Sequence, residues 1–197
     1  MADFYDTVRR RRMVRNYTEE PVDPEALERI LAAARRAPSA GFSQGQAMVV
    51  VTGANGRRQI ARLAGEDEYV AMGMEPWISR APVHVIVCVS RKIYFDRYSE
   101  PDKKGEPNSD EDWPVPYWWV DSGATMMLVL LAAVAEGLAA GFLGSHRMPE
   151  LKHAFGIPDH MDPIGIVTIG HAAPDRRSRS LDRGWKSDDQ VIHRERW

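Results

Sequence analysis

Between Asp121 and Ala140 the chain carries one charged side chain after its first residue, Glu136, and apolar residues fall on nearly every side of a helical projection. Such a helix has to be covered on most faces. A chain of 197 residues offers one domain's worth of partners. The uncovered side therefore points to a second copy of the same chain, an obligate homodimer. The densest apolar run, Thr125 to Ala135, is short and flanked by glycine, so it reads as a core helix and not as a membrane span.

The remaining elements are shorter. Asp3 to Arg12 forms an amphipathic helix with Phe4 and Val8 on one face. Asp23-Pro24 opens a second, the aspartate capping free amides and the proline fitting the first helical position. Leu27, Ile30, Leu31 and Ala34 then repeat at helical spacing, and Pro38 ends the run. Strands are expected at Ala47 to Thr52, Pro82 to Ser90 and Pro163 to His171, each rich in β-branched residues. Asn55-Gly56 reads as a turn before a helix over Arg57 to Ala64, and Met148 to Phe155 as a short helix. Ser99 to Asp112 reads as a mobile polar loop, and Ala172 to Trp197 as an extended polar tail. Few strands separated by helices give a small sheet covered by helices.

Composition narrows the function classes. Net charge is −2, from 26 basic and 28 acidic residues, so no chain-wide basic field for nucleic acid exists. No export signal precedes the arginines near the start, and no membrane partner is expected. The single cysteine, Cys88, excludes an internal disulfide and fits a reducing cytoplasm. The histidines lack HxxxH or HExxH spacing, so no metal site is expected. No GxSxG elbow and no Walker loop is present.

Four patterns remain. Arg9 to Arg12 with Arg15 form a basic cluster; on a helical turn Arg11 and Arg15 share a face, and guanidinium groups grip phosphate. Ala37 to Gly45, with Ser39, Ser43 and Gln44, is a loop of small residues that lets backbone approach a flat ligand. Gly137 to His146 is glycine-rich without the spacing of a dinucleotide fingerprint. Arg176, Arg177 and Arg179 lie in the tail, where they close on the same anion if the two ends meet. Each alone also reads as ordinary surface or loop. Together they describe a binder of a flat phosphorylated ligand with no protein nucleophile, in which a cofactor does the chemistry.

Five segments taken in order resemble the nitroreductase family of FMN-dependent oxidoreductases. They are Arg11-Arg12-Met13-Val14-Arg15-Asn16-Tyr17 with Pro21-Val22, Ala37 to Gln44, Asp121 to Gly144, Phe155-Gly156-Ile157-Pro158, and Ile169-Gly170-His171 with Arg177-Ser178-Arg179. The resemblance implies a single domain over 1–197, an α+β fold with an α/β/α sandwich around a small, mostly antiparallel sheet, and a homodimer with two FMN sites at the subunit interface. It implies that Arg11, Arg12, Met13 and Arg15 contact FMN, with Arg177 and Arg179 closing on the phosphate. Pro38, Ser39 and Ala40 then line the ring from the other subunit, and the amides near Leu143 and Gly144 face its polar edge. The implied reaction is ping-pong hydride transfer from NADH or NADPH through flavin N5 to a small oxidised organic acceptor, such as a nitroaromatic or quinone. The alternatives are a flavin-dependent dehydrogenase or dehalogenase, and a flavin-binding protein without turnover. Two positions depart from the family pattern: Met13 stands where serine is usual, and Phe42 where asparagine is usual. Phe42, Tyr117, Trp118 and Trp119 are the candidate substrate-facing residues, the last three in the aromatic run Trp113 to Trp119.

Overall fold

The computed structural model describes residues 3–103, 105, 109, 111 and 113–197. Helices α1 (Phe4–Arg10) and α2 (Pro24–Ala34) lead to strand β1 (Gln46–Val51). Helices α3 (Ala54–Leu63), α4 (Glu66–Ala71) and α5 (Trp77–Arg80) precede strand β2 (Val83–Val89). Helix α6 (Arg91–Tyr98) and the long helix α7 (Tyr117–Ala135) follow, then strand β3 (Ala139–Gly144), helix α8 (Leu151–Ala154) and strand β4 (Asp162–Gly170). The four strands form one sheet in the order β1-β2-β4-β3, with every neighbouring pair antiparallel.

The continuous apolar run of β2 follows from burial on both faces. Val83, Val85 and Val87 face α2 and α7, where they meet Leu27, Ile30, Val129, Leu130 and Ala133. Ile86 and Cys88 face the opposite layer, with Ile60 of α3, Trp77 and Ile78 of α5 and Leu151 of α8. The result is a helix–sheet–helix sandwich of the expected α+β class. Helix α7 is long and apolar enough in composition to cross a membrane, yet Val129, Leu130 and Ala133 are fully buried against the sheet. Its other side, with Tyr117, Val120 and Met127, is exposed.

Several boundaries differ from the sequence reading. Helix α7 stops at Ala135, because Gly137 takes a left-handed conformation (φ 79°). The chain then turns back as β3, a fourth strand that the glycine-rich sequence hides; its small residues are needed for close approach. A Cβ on Gly141 would strike the Val14 carbonyl, and one on Gly165 of β4, opposite Gly144, would strike the Phe142 ring. Asn55-Gly56 is the first turn of α3 and not a separate turn. Arg11 to Arg15 are extended, since α1 ends at Arg10, so the shared helical face does not exist. Of the Ser99–Asp112 stretch, residues 104, 106–108, 110 and 112 lie outside the described residues. Arg97 holds Asp102 at its near end through two bonds of 2.8 and 2.7 Å.

His84 is fully buried on β2, and burial lowers its pKa from 6.5 to about 4, with the Arg57 guanidinium pushing the same way. Below pH 6.5 the unfolded chain binds a proton that folded His84 refuses until about pH 4. Its stability contribution is therefore intact above pH 6.5 and is lost as pH falls through that window, by about 3 kcal/mol. Urea midpoints measured across the window should fall more steeply for the native chain than for His84→Leu.

Candidate functional site

Residues 11–18 leave α1 as extended chain and lie across one end of the sheet. Met13 bridges Ala140, and the Val14 amide donates to the Ala140 carbonyl at 3.0 Å. Tyr17 bridges Ala172, the Thr18 amide donates to the His171 carbonyl at 2.9 Å, and the Ala173 amide donates to the Asn16 carbonyl at 3.1 Å. The Tyr17 ring is buried, and its hydroxyl shares a 2.8 Å bond with the Thr168 hydroxyl and donates to the Val14 carbonyl at 3.1 Å. Burial pushes that phenol well above its ordinary value, so it stays neutral.

This pairing joins the two basic ends of the chain. The Arg15 amide donates to Asp175 Oδ2 at 2.8 Å, and Asn16 Nδ2 donates to the Pro174 carbonyl at 2.8 Å. A cleft of about 690 Å³ opens beside them, lined by Arg15, Arg176, Arg177 and Arg179, walled by Tyr69, Met72 and Met74, and carrying two carboxylates, Asp175 and Glu75, the latter paired with Arg80 at 2.8 Å. Among the described residues, neither the Arg15 nor the Arg179 guanidinium has a carboxylate partner, while Arg177 reaches Asp182 only at 3.9 Å. Unpaired guanidiniums converging on one open cleft of this size fit a phosphorylated ligand.

The other arginines go elsewhere. Arg12 approaches Asp175 at 3.7 Å and lines a separate cleft with Val14 and Leu138. Arg11 lines a groove with Val8, Met127, Leu131 and Trp185. Met13 packs on the apolar cluster between α2, α7 and the sheet.

The small-residue loop is at the diagonally opposite corner. Strand register puts Gln46 beside Val89 and Val89 beside Asp162, at the far end of β4 from Ile169 and Ala140. Strand β1 is one edge of the sheet and β3 the other. The separation is about 20 Å along the strands, with about 14 Å across them. Leu143 and Gly144 end β3 at the same end of the sheet as the loop. Within one chain, Pro38, Ser39 and Ala40 thus stand far from the Arg15 cleft.

That loop is fixed from below. Asp121, buried in the first turns of α7, accepts from the Ala40 amide at 2.9 Å and from the Tyr94 hydroxyl at 2.8 Å. Ser39 Oγ accepts from the Gln44 amide at 2.9 Å, and Ser43 Oγ donates to the Ala40 carbonyl at 2.6 Å. Asp121 was visible in the sequence only as the polar start of an apolar helix. Its role as a loop anchor, like that of Asp175 at the other corner, depends on contacts far away along the chain.

The aromatic run divides. Trp118 is core: its ring packs edge-on to Phe95 at 5.5 Å and Tyr94 at 6.2 Å, beside Trp113. The expectation that it faces substrate is corrected, because the cluster under the loop encloses it. Tyr117 and Trp119 are exposed on the first turn of α7, and Phe42 is 75% exposed.

Residues 8–171 match the model of the nitroreductase family. The chain belongs to the nitroreductase family. It is 29% identical over 189 residues to the FMN reductase [NAD(P)H] of Bacillus subtilis, covering 93% of this chain and 70% of the relative. It is 31% identical over 202 residues to an iodotyrosine deiodinase of Nematostella vectensis, covering 92% and 72%. The fold matches that of NfrA2 from B. megaterium with a TM-score of 0.78 at 23% identity, over 100% of this chain and 76% of that one. The nitroreductase fold of these relatives is the sandwich described above.

Gly141 lets the arginine-bearing segment sit down on β3. Gly141→Ala should lift residues 13–17 off the sheet, and the Val14 amide should then exchange its hydrogen at least about tenfold faster.

Proposed function

We propose that this nitroreductase-family chain is an FMN-dependent NAD(P)H oxidoreductase that acts on small molecules. The observation that carries the reading is the convergence of Arg15, Arg177 and Arg179 on one cleft, with Arg15 and Arg179 lacking carboxylate partners among the described residues. The family match and the relatives named for FMN, flavin and NAD(P)H chemistry support it. When bound, FMN would supply two-electron chemistry between NAD(P)H and an oxidised acceptor such as a nitroaromatic or a quinone, in a ping-pong cycle.

The chain's own residues bind and orient. Arg177 and Arg179 hold the phosphate, and Arg15 supplies positive charge toward the ring's pyrimidine edge. Leu143 and Gly144 offer backbone amides to the ring. No side chain is assigned as a general acid, since an open cleft admits water. Cys88 takes no part: it is buried, and burial pushes its thiol up to about 11. A lone inert thiol of this kind suits a reducing cytoplasm.

Completing the site takes two copies and, in this reading, the whole chain as one domain. The exposed face of α7, with Tyr117, Val120 and Met127, runs from the loop corner to the arginine corner. A twofold axis through that face sets two α7 helices antiparallel. The Pro38–Ala40 loop of one copy then arrives at the arginine cleft of the other. Exposed Phe4, Tyr5 and Val8 of α1 extend the same apolar surface, and Trp185 of the tail lies at its margin.

A second reading, reductive dehalogenation, is favoured by the similarity to the deiodinase. The two separate on acceptor: turnover of halogenated phenols with release of halide supports the second, and turnover of quinones or nitroaromatics supports the first.

The purified chain should be yellow, run as a dimer on gel filtration, and lose its flavin colour rapidly on anaerobic addition of NADH or NADPH. Arg15→Ala should weaken FMN binding by about 10- to 100-fold, the loss of one or two charge-assisted hydrogen bonds. Equilibrium titration of the apoprotein by flavin fluorescence measures it, and unchanged affinity removes Arg15 from the site.

A further inference from the structure

The most strained stretch of backbone among the described residues is the tip of the small-residue loop. Gly41, Phe42 and Gln44 all have positive φ, at 60°, 56° and 53°. Glycine adopts that conformation freely; phenylalanine does so at a cost. Backbone held in such a region persists only where its surroundings over-determine it, and it clusters at functional sites.

The surroundings do over-determine it. Arg97 Nε donates to the Gly41 carbonyl at 2.9 Å, and the Ser90 amide donates to the Gly45 carbonyl at 2.9 Å. A Cβ on Gly41 would lie 2.6 Å from the Tyr98 ring, and one on Gly45 2.6 Å from the Tyr94 ring. Asp121 grips Ala40 from beneath. The loop is thus seated on the aromatic residues of α6 with no slack, and the one large side chain at its tip, Phe42, projects into solvent. Core packing does not account for it, because Phe42 is 75% exposed and belongs to none of the described core clusters.

We infer that Phe42 is a specificity-determining residue. Carried on the loop to the other copy's cleft, its ring stacks against a flat aromatic acceptor, so the enzyme selects acceptors by planar ring and not by redox group alone. The inference rests on the FMN dimer proposed above. It adds the residue that discriminates among the acceptors named there, favouring those with a planar aromatic ring over those without one. A fixed aromatic face presented without rotational search suits such a ring, because offset or edge-on ring pairs add attraction beyond their buried area.

The test uses the FMN-loaded full chain with saturating NADH or NADPH and two acceptors, 1,4-naphthoquinone and ferricyanide. The ratio of kcat/KM for naphthoquinone to kcat/KM for ferricyanide should fall about tenfold in Phe42→Gly, which removes the ring, and should recover in Phe42→Trp. The thermal midpoint of Phe42→Gly should be equal to or above that of the native chain, since glycine suits the backbone there. An unchanged ratio in Phe42→Gly overturns the inference, as does a lowered ratio that Phe42→Trp fails to restore. A native chain that takes up no FMN, or whose flavin neither nicotinamide bleaches, removes the underlying reading first. A chain that is bleached but indifferent at Phe42 loses only the stacking role.

Discussion

The pairing of residues 13–18 with the end of the sheet is the contact on which the candidate site depends. Without the bond from the Val14 amide to Ala140, and the Tyr17 hydroxyl set between Val14 and Thr168, the arginines at the start of the chain would be an exposed basic tail. With them, Arg15 and the Arg177–Arg179 pair stand around one cleft although more than 150 residues separate them in sequence. Asp175 reinforces the junction by accepting from the Arg15 backbone amide, and the Arg15 side chain lines the cleft. Asp175 also lines the cleft, so it fixes the main chain there at the cost of offsetting part of the four arginines' charge.

The same sheet is the geometric ground for the proposed dimer. Its edges and ends put the arginine cleft and the anchored loop at opposite corners, and α7 spans the diagonal between them. The apolar stretch that first constrained the fold therefore has two tasks. One face closes the core through Val129, Leu130 and Ala133, and the other, exposed at Val120 and Met127, is the face proposed to meet a second copy.

Much of this was legible in the sequence for local reasons. Asp23-Pro24 announced α2 because capping is a contact between neighbours; Asp23 accepts from the Glu25 amide at 3.1 Å. The valine-rich run of β2 showed itself because a strand buried on both faces has no room for polar alternation. What stayed hidden needed long-range geometry. Strand β3 looked like a glycine loop because Gly141 serves the approach of Val14, not local flexibility. Trp118 looked free to face a ligand because nothing in the sequence placed Tyr94 and Phe95 beneath it. At the candidate site, the family pattern pointed to the arginines and the loop, whereas the anchoring roles of Asp121 and Asp175 emerged only once distant segments met.

The diagonal placement of loop and arginines has a genetic consequence. In the proposed pair each site draws one half from either chain, so lesions at the two corners fall in different complementation groups within a single gene. A chain crippled at Arg15 and a chain crippled at Asp121 would each be inactive as a self-pair. Co-expressed, they would assemble mixed pairs in which one pocket inherits both defects and the other inherits neither.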